Sequence, residues 1–215
     1  MTGDGFKTFG TLGDFKAIRS EEIARRLRSK PELEELSDGE LLNLSDKGSE
    51  DAFLILFRRH EGSVFRFALH MSGRRETAEE VTQEVFLMLL RKHKRYTEER
   101  GGLQAYLIGA ARNIVRRHLI KDRISRARML DGRSAIKPNL DEELSRDQEL
   151  EALRAAILRL PVNYREVVVL CELENASYAE AAHQLGCAIG TVRSRLHRAR
   201  AILAAKLRRG ERCPA

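Results

Sequence analysis

The 215-residue chain has no tryptophan and only three cysteines, Cys171, Cys187 and Cys213. Their number is odd and none belongs to a CxxC pair, which argues against a disulfide scaffold and against a zinc site. The six histidines form neither an HExxH spacing nor a cluster with cysteine. We therefore expect no metal and no other cofactor, and the cysteine usage is typical of a reducing cytoplasm.

Long apolar runs are missing as well. No stretch approaches the roughly 20 apolar residues that span a bilayer, and the first residues lack the apolar core of a signal peptide. The sequence therefore predicts a soluble, cytoplasmic protein. It shows no grouping of nucleophile, base and orienting side chain and no Walker-type phosphate loop, so we expect that it is not an enzyme.

Charge is abundant, with 39 Lys and Arg against 32 Asp and Glu, a formal net charge of +7 and a sequence pI near 9.6. One third of the residues are charged and only 6% are aromatic, which suits exposed helices better than a large sheet core. The composition thus favours an all-α protein.

Residues 176–209 carry the pattern of a helix-turn-helix, two helices joined by a tight turn at residues 186–190. Ser177 is placed to cap the first helix. The apolar positions that would face one another are Ala182 and Leu185 on the first helix and Val192, Leu196, Ala199 and Leu203 on the second.

The second of these helices is basic on its outer side and contains no acid. DNA is the natural partner of such a helix in a helix-turn-helix, although basic amphipathic helices also lie on membranes or close small bundles. The side chains expected at base edges are Arg193, Ser194, His197 and Arg198, whereas Arg195 and Arg200 suit phosphates.

The apolar periodicity divides the chain into two small helical bundles joined by a flexible linker. We predict an extension over 1–39, partly disordered with a short helix at 20–28, a first domain over 40–121, a linker over 122–148 and a second domain over 149–210. The predicted helices are two within 40–72 separated near Gly48, then 78–92 capped by Thr77 and Glu80, about 103–118, 144–160 and 162–173.

The sequence allows two interpretations of each of two surfaces in the first domain. Glu79, Glu80, Gln83 and Glu84 form an acidic face that is either simply solvated or a docking site. Tyr106, Gly109, Asn113, Arg116 and Arg117 fall on one stripe of the next helix. A ring, an amide and cations can hold unstacked bases, but they also occur on ordinary basic surfaces.

Three blocks in this order resemble the bacterial RNA polymerase sigma factors of the extracytoplasmic-function type. They are AEEVTQEVFLMLL at 78–90, LQAYLIGAARNIVRRHL at 103–119 and the helix-turn-helix block at 158–203. The resemblance implies that the first domain recognises the −10 promoter element and the second domain the −35 element. It also implies core RNA polymerase, promoter DNA in duplex and single-stranded form, and an anti-sigma factor as partners.

The resemblance also assigns residues. It implies polymerase binding by Glu79, Glu80, Gln83, Glu84 and Phe86, −10 binding by Tyr106, Arg112, Asn113, Arg116, Arg117 and His118, and −35 binding by Arg193, Ser194, Arg195, His197, Arg198 and Arg200. The chain departs from the family at Tyr106, where tryptophan is usual, and in its longer N-terminal segment. The alternative function is a stand-alone helix-turn-helix regulator that binds duplex sites as a dimer.

Overall fold

The computed structural model describes residues 31–92, 102–129 and 146–210. Every regular element in these three ranges is a helix, which confirms the predicted all-α fold class. None of the helices described there combines the length and apolar character needed to cross a bilayer. The predicted helix at 20–28 and most of the predicted linker lie outside the described residues.

The helices follow one another with short connections. In chain order they are α1 (Pro31–Glu34), α2 (Asp38–Asp46), α3 (Glu50–Ser72), α4 (Arg75–Lys92), α5 (Leu103–Met129), α6 (Arg146–Leu158), α7 (Val162–Val168), a π-helical segment (Val169–Leu173), α8 (Tyr178–Leu185) and α9 (Ile189–Gly210).

The chain divides into two compact units, one of Met1–Gly62 with Lys92–Leu103 and one of Ser63–Arg91 with Gln104–Ala215. In the first unit, Leu41 and Leu56 are fully buried between α2 and α3. Asp38 joins the same two helices, because its carboxylate accepts hydrogen bonds from Arg59 at 2.9 Å and lies 2.7 Å from His60 Nε2.

The second unit contains residues from both of the predicted domains. Its core is built from large apolar side chains on α3, α4, α5, the π-helical segment and α9, such as Phe67, Leu89, Leu107, Leu170 and Leu196. Burial of side chains of this size stabilises a fold by about 1.5–3 kcal/mol each.

The breaks predicted at Gly48 and Gly73 are confirmed. Both glycines adopt left-handed backbone conformations, with φ of +91° and +71°, between consecutive helices. The predicted cap of α4 is wrong, because the helix begins at Arg75 and Thr77 is buried in its first turn. The chain turns so tightly at Gly73 that helical geometry resumes two residues later, and the Ser72 hydroxyl accepts from the Arg74 N–H.

Three more helices differ from their predicted extents, and the smallest difference is in α6, which ends at Leu158 where residue 160 was predicted. The predicted end at His118 is wrong, because α5 continues through Met129; residues 119–129 contain neither glycine nor proline and consist largely of good helix formers. The predicted helix 162–173 is α-helical only to Val168 and then becomes π-helical, with the Glu174 N–H donating to the Val169 carbonyl. Asn175 ends it as predicted, with a φ of +55°.

Gly73 and Gly48 have different surroundings. We therefore predict that replacing each of them by alanine lowers the free energy of unfolding by a different amount. A Cβ at residue 73 would lie 2.5 Å from Leu158 Cδ1, whereas a Cβ at residue 48 would meet nothing within 4 Å. We expect Gly48→Ala to cost about 1–2 kcal/mol for its left-handed conformation. Gly73→Ala should cost a further 1–3 kcal/mol or so for the clash, as measured by urea unfolding.

The Leu158→Ala background is the control, because it removes the clashing methyl groups. There the cost of Gly73→Ala should fall to that of Gly48→Ala. Equal losses for the two alanine variants in the wild-type background would show that the Leu158 contact is not a constraint.

Candidate nucleic-acid and protein-binding surfaces

The helix-turn-helix is held by a reciprocal cap and a left-handed glycine. The Ser177 N–H donates to Glu180 Oε2 at 2.8 Å, and the Glu180 N–H donates to Ser177 Oγ at 3.2 Å. Gly186 then reverses the chain with a φ of +61°. Because Leu185 and Val192 are buried on either side of this turn, the angle between α8 and α9 is set by apolar packing.

The outer face of α9 is open, as predicted for a recognition helix. Arg193, Ser194, His197 and Arg198 are all exposed and lie on one side of the helix. Arg195 is half-buried. Arg200 is exposed and forms an ion pair with Glu172 of the π-helical segment at 2.5 Å. A positively charged face that projects from a rigid two-helix frame can enter a DNA groove.

The second basic surface, which we call the α5 stripe, lies on successive turns of α5. It consists of Tyr106, Arg112, Asn113, Arg116, Arg117 and His118. Asn113 and Arg117 are exposed, and the other four side chains are half-buried. The structure therefore brings all six predicted residues onto one helix, with the amide of Asn113 available to a ligand.

The acidic patch, Glu80, Gln83 and Glu84, is exposed on α4 and borders the α5 stripe. Glu84 lies 2.5 Å from Arg117, and Glu80 lies 3.8 Å from His118. Glu79 is half-buried and pairs with Arg75. The structure places Phe86 in the core, because its position on α4 points inward with Val85 and Leu89.

Glu166 of α7 is a residue that the sequence analysis did not single out, although it is 0% exposed and bears a charge. Its carboxylate accepts hydrogen bonds from Arg112 Nε at 2.9 Å and Arg112 Nη2 at 3.3 Å. Arg116 Nε lies 3.2 Å from the same carboxylate and its Nη2 donates to Asn163 Oδ1 at 2.8 Å. Two arginines of the α5 stripe are thus held by α7.

The neighbouring Arg165 is buried and binds neutral oxygen atoms. Its guanidinium donates to the backbone carbonyl oxygens of Met71, Leu158 and Leu160. Burial lowers the pKa of Arg165 from its ordinary value. Because those carbonyls end α3 and α6, Arg165 joins the C-terminal ends of two helices to α7.

Family models match both surfaces. The model described as Sigma-70 region 2 matches residues 56–125, which include the acidic patch and the α5 stripe. The model described as Sigma-70, region 4 matches residues 150–203, which include Glu166 and the recognition face of α9. The ECF RNA polymerase sigma factor EcfG of Rhodopseudomonas palustris is 33% identical over 145 residues, which is 67% of this chain and 79% of the relative. The chain belongs to the ECF sigma factors.

Other relatives have the same family name or fold. SigE of Mycolicibacterium smegmatis is 37% identical over 152 residues, 67% of this sigma factor and 57% of SigE, so the match spans less than two thirds of that relative. The sigma factor RpoE of Bartonella quintana, solved in complex with the anti-sigma factor NepR, superposes with a TM-score of 0.53 at 26% identity, covering 71% of this chain and 94% of that chain.

The sigma factor has no group of three or more His, Cys, Asp or Glu side chains placed to hold a metal ion within the residues that the structure describes. Cys171 and Cys187 are half-buried free thiols there, and burial raises the pKa of Cys171. Cys171 lies in the π-helical segment and Cys187 in the turn between α8 and α9.

The residues that the sequence analysis missed are Asn163, Arg165 and Glu166. Their partners lie 47 to 94 positions away in sequence, apart from the carbonyls at the end of α6. The sequence gives a partial indication of their role. Arg165 and Glu166, which have opposite charges, directly precede the apolar run of residues 167–170, and a segment with such a run must be buried on most sides. Charges in such a segment need partners, but periodicity does not identify them.

The sigma factor has two similar helix caps, one on α8 and one on α2, so a prediction about one cap can use the other as its reference. Hydrogen bonds from Ser177 lower the pKa of Glu180, and those from Ser37 lower the pKa of Glu40 in an equivalent cap of α2. Ser177→Ala should return the pKa of Glu180 toward its ordinary value, leave that of Glu40 lowered, and destabilise α8 by about 1 kcal/mol. An NMR titration of the two carboxyl groups measures both pKa values. In Ser37→Ala the pKa of Glu40 should return toward its ordinary value and that of Glu180 should stay lowered.

The sign of the pH dependence follows from these lowered pKa values. Each carboxylate stabilises the fold fully above its unfolded pKa, and the contribution disappears as pH falls through the lower folded value. An unchanged Glu180 pKa in Ser177→Ala would contradict the role of the cap.

Proposed function

We propose that this sigma factor binds core RNA polymerase, directs it to specific promoters and assists opening of the DNA strands. The observation that carries the proposal is that one chain matches both region 2 and region 4 and exposes a basic surface in each. Since transcription takes place in the bacterial cytoplasm, we place the protein there.

Recognition of the −35 element is assigned to α9. Arg193, Ser194, His197 and Arg198 lie on the exposed face that would meet base edges in the major groove. Arg195 and Arg200 lie to the sides of this face and suit backbone phosphates, which position the helix without reading sequence. Arg200 must leave Glu172 to do so.

Recognition of the −10 element is assigned to the α5 stripe. Tyr106 supplies a ring on which an unstacked base can lie, Asn113 an amide for a base edge, and Arg112, Arg116, Arg117 and His118 supply cations for phosphates. Unstacking costs a few kcal/mol per base, and stacking on a ring returns about 1–3 kcal/mol per base. Captured bases can therefore keep the strands apart.

Binding of polymerase is assigned to the acidic patch and its two neighbours. Glu80, Gln83 and Glu84 are exposed and can meet a basic coiled coil of the largest subunit, with Glu79 at the border. Phe86 supports this surface from the core beneath it. Catalysis belongs to the polymerase, and we propose no catalytic residue, cofactor or metal for the sigma factor.

We also propose an anti-sigma factor as a partner. Support comes from RpoE of Bartonella quintana, whose solved structure contains the anti-sigma factor NepR. A protein that inhibits this sigma factor would have to cover the polymerase-facing or DNA-facing surfaces described above.

Transcription in vitro tests the function. The sigma factor and core polymerase from the same organism are supplied with genomic fragments, with core polymerase alone as the reference. We expect transcripts from discrete start sites that require the sigma factor. Specific duplex binding to a symmetric site in the absence of polymerase, without such transcripts, would instead support the stand-alone regulator.

Charge reversal tests the acidic patch. Glu80→Lys with Glu84→Lys should reduce retention on immobilised core polymerase at least tenfold, because it places like charges against a basic partner. The matched control is Glu32→Lys with Glu35→Lys, two exposed positions on or beside α1 that give the same change in net charge. Similar losses in both double variants would attribute the effect to net charge and contradict a specific docking surface.

A further inference from the structure

Two exposed isoleucines lie on α5 just beyond His118. Ile120 and Ile124 belong to the part of α5 that extends past the predicted end of the helix, and they are 59% and 47% exposed. Single exposed apolar residues are common on protein surfaces, but two on adjacent turns of one helix indicate a contact surface. The other exposed large apolar side chains in the described ranges lie on three separate helices, and they are Leu150, Tyr178 and Ile189.

The two isoleucines point in the same direction as two exposed side chains of the α5 stripe. At about 100° of rotation per residue, Asn113, Arg117 and the isoleucines fall within a sector of about 60° on α5. With a rise of about 1.5 Å per residue, Ile120 and Ile124 lie about 10 and 16 Å from Asn113 along the helix axis. These distances correspond to about three and five base pairs of B-DNA. The isoleucines therefore lie over the neighbours of any base that Asn113 holds.

Basic side chains flank the isoleucines on both sides. Lys121 and Arg123 are exposed, and each falls about 80° to one side of the line through the two isoleucines. Asp122 is the one acid in residues 116–125, and it lies on the opposite side of α5, where it pairs with Arg74 at 3.8 Å. The exposed face is therefore apolar along its middle and positively charged along both edges.

This arrangement fits the major groove of duplex DNA. A helix with its side chains is about 10–12 Å across and the groove is about 12 Å wide, so an inserted helix has phosphates of both strands beside it. Lys121 and Arg123 can each bind a phosphate of one strand, while the isoleucines contact base edges such as the methyl group of thymine.

Other occupants match this face less well. A second copy of the same face would bring basic edges against each other, which is unfavourable. An acidic protein segment would match the charge but not the continuity of the face with Asn113 and Arg117. DNA can cover both parts of α5 without a break, because the strand that leaves the duplex is continuous with it.

We propose that residues 119–125 of α5 form a duplex-binding site that holds the base pairs beside the captured −10 bases. This inference rests on the proposed function, because that function assigns the α5 stripe to unstacked bases. Lys121 and Arg123 bind the two strands where they are still paired, and Ile120 and Ile124 add an apolar contact that favours thymine. The site thus lies at the boundary between the paired and the separated parts of the promoter.

The first test compares two DNA probes that bind preassembled holoenzyme. One is the single non-template strand of the −10 region of a promoter mapped by the transcription assay. The other is a fork in which the adjoining duplex is added to that strand. Ile120→Gln with Ile124→Gln removes the apolar contact and keeps good helix formers. We expect about tenfold weaker binding of the fork and unchanged binding of the single strand, because the duplex alone reaches these positions.

Leu150→Gln is the matched control, since it removes an apolar side chain of similar exposure, 51%, from α6. It should leave the affinity for both probes unchanged. All substituted positions are exposed, so the variants should unfold at the urea concentration of the wild-type protein.

The second test examines the two cations and the thymine contact separately. Lys121→Gln with Arg123→Gln removes two phosphate contacts, so the slope of log K against log salt concentration for the fork should become less negative by about 1.8. The isoleucine variant should keep the wild-type slope. A fork with thymine at the base pairs three to five positions from the captured base should bind the wild-type holoenzyme more tightly than the same fork with uracil, which lacks the methyl group. The isoleucine variant should not distinguish these two forks.

The results distinguish failure of this site from failure of the proposed function. Equal fork binding by the wild-type protein and the isoleucine variant, or an unchanged salt slope in the cation variant, would overturn the duplex-binding site while promoter transcription persists. Such a result would assign the exposed face to a protein partner instead. A wild-type holoenzyme that binds neither probe and starts at no promoter would refute the proposed function and this site with it.

Discussion

The buried carboxylate of Glu166 is the constraint that determines how α5 and α7 pack together in the larger unit. An ionised group withdrawn from water must be paired, and Glu166 is paired with Arg112 and Arg116 of α5. This requirement fixes α7 against α5. It also means that two arginines that we propose for DNA binding serve as the counter-charges of a carboxylate within the protein.

The surrounding structure is arranged around that pairing. The tight turn at Gly73 brings the end of α3 close to Leu158, and Arg165 uses carbonyl oxygens at both helix ends as its partners. The recognition face of α9 and the acidic patch of α4 are independent of these contacts and stay exposed.

The helices, the breaks at Gly48 and Gly73 and the frame of the helix-turn-helix could be predicted from sequence, because local periodicity and capping determine them. The start of α4 could not, since the turn at Gly73 lets the helix begin at Arg75, ahead of Thr77. Nor could the burial of Phe86, which shares α4 with exposed acids. The spacing of Tyr106, Asn113, Arg116 and Arg117 along α5 was predicted, but not the pairing of Arg112 and Arg116 with Glu166. That pairing joins residues 54 positions apart, and a pattern along one helix carries no information about such a partner.

The most direct measurement is a double-mutant cycle of Arg112→Gln and Glu166→Gln, determined from urea unfolding of the sigma factor. The account predicts a coupling free energy of about 1–3 kcal/mol, because removing either side chain alone leaves the other charge buried without its partner. A coupling free energy below about 0.5 kcal/mol would contradict the claim that the buried carboxylate of Glu166 fixes α7 against α5.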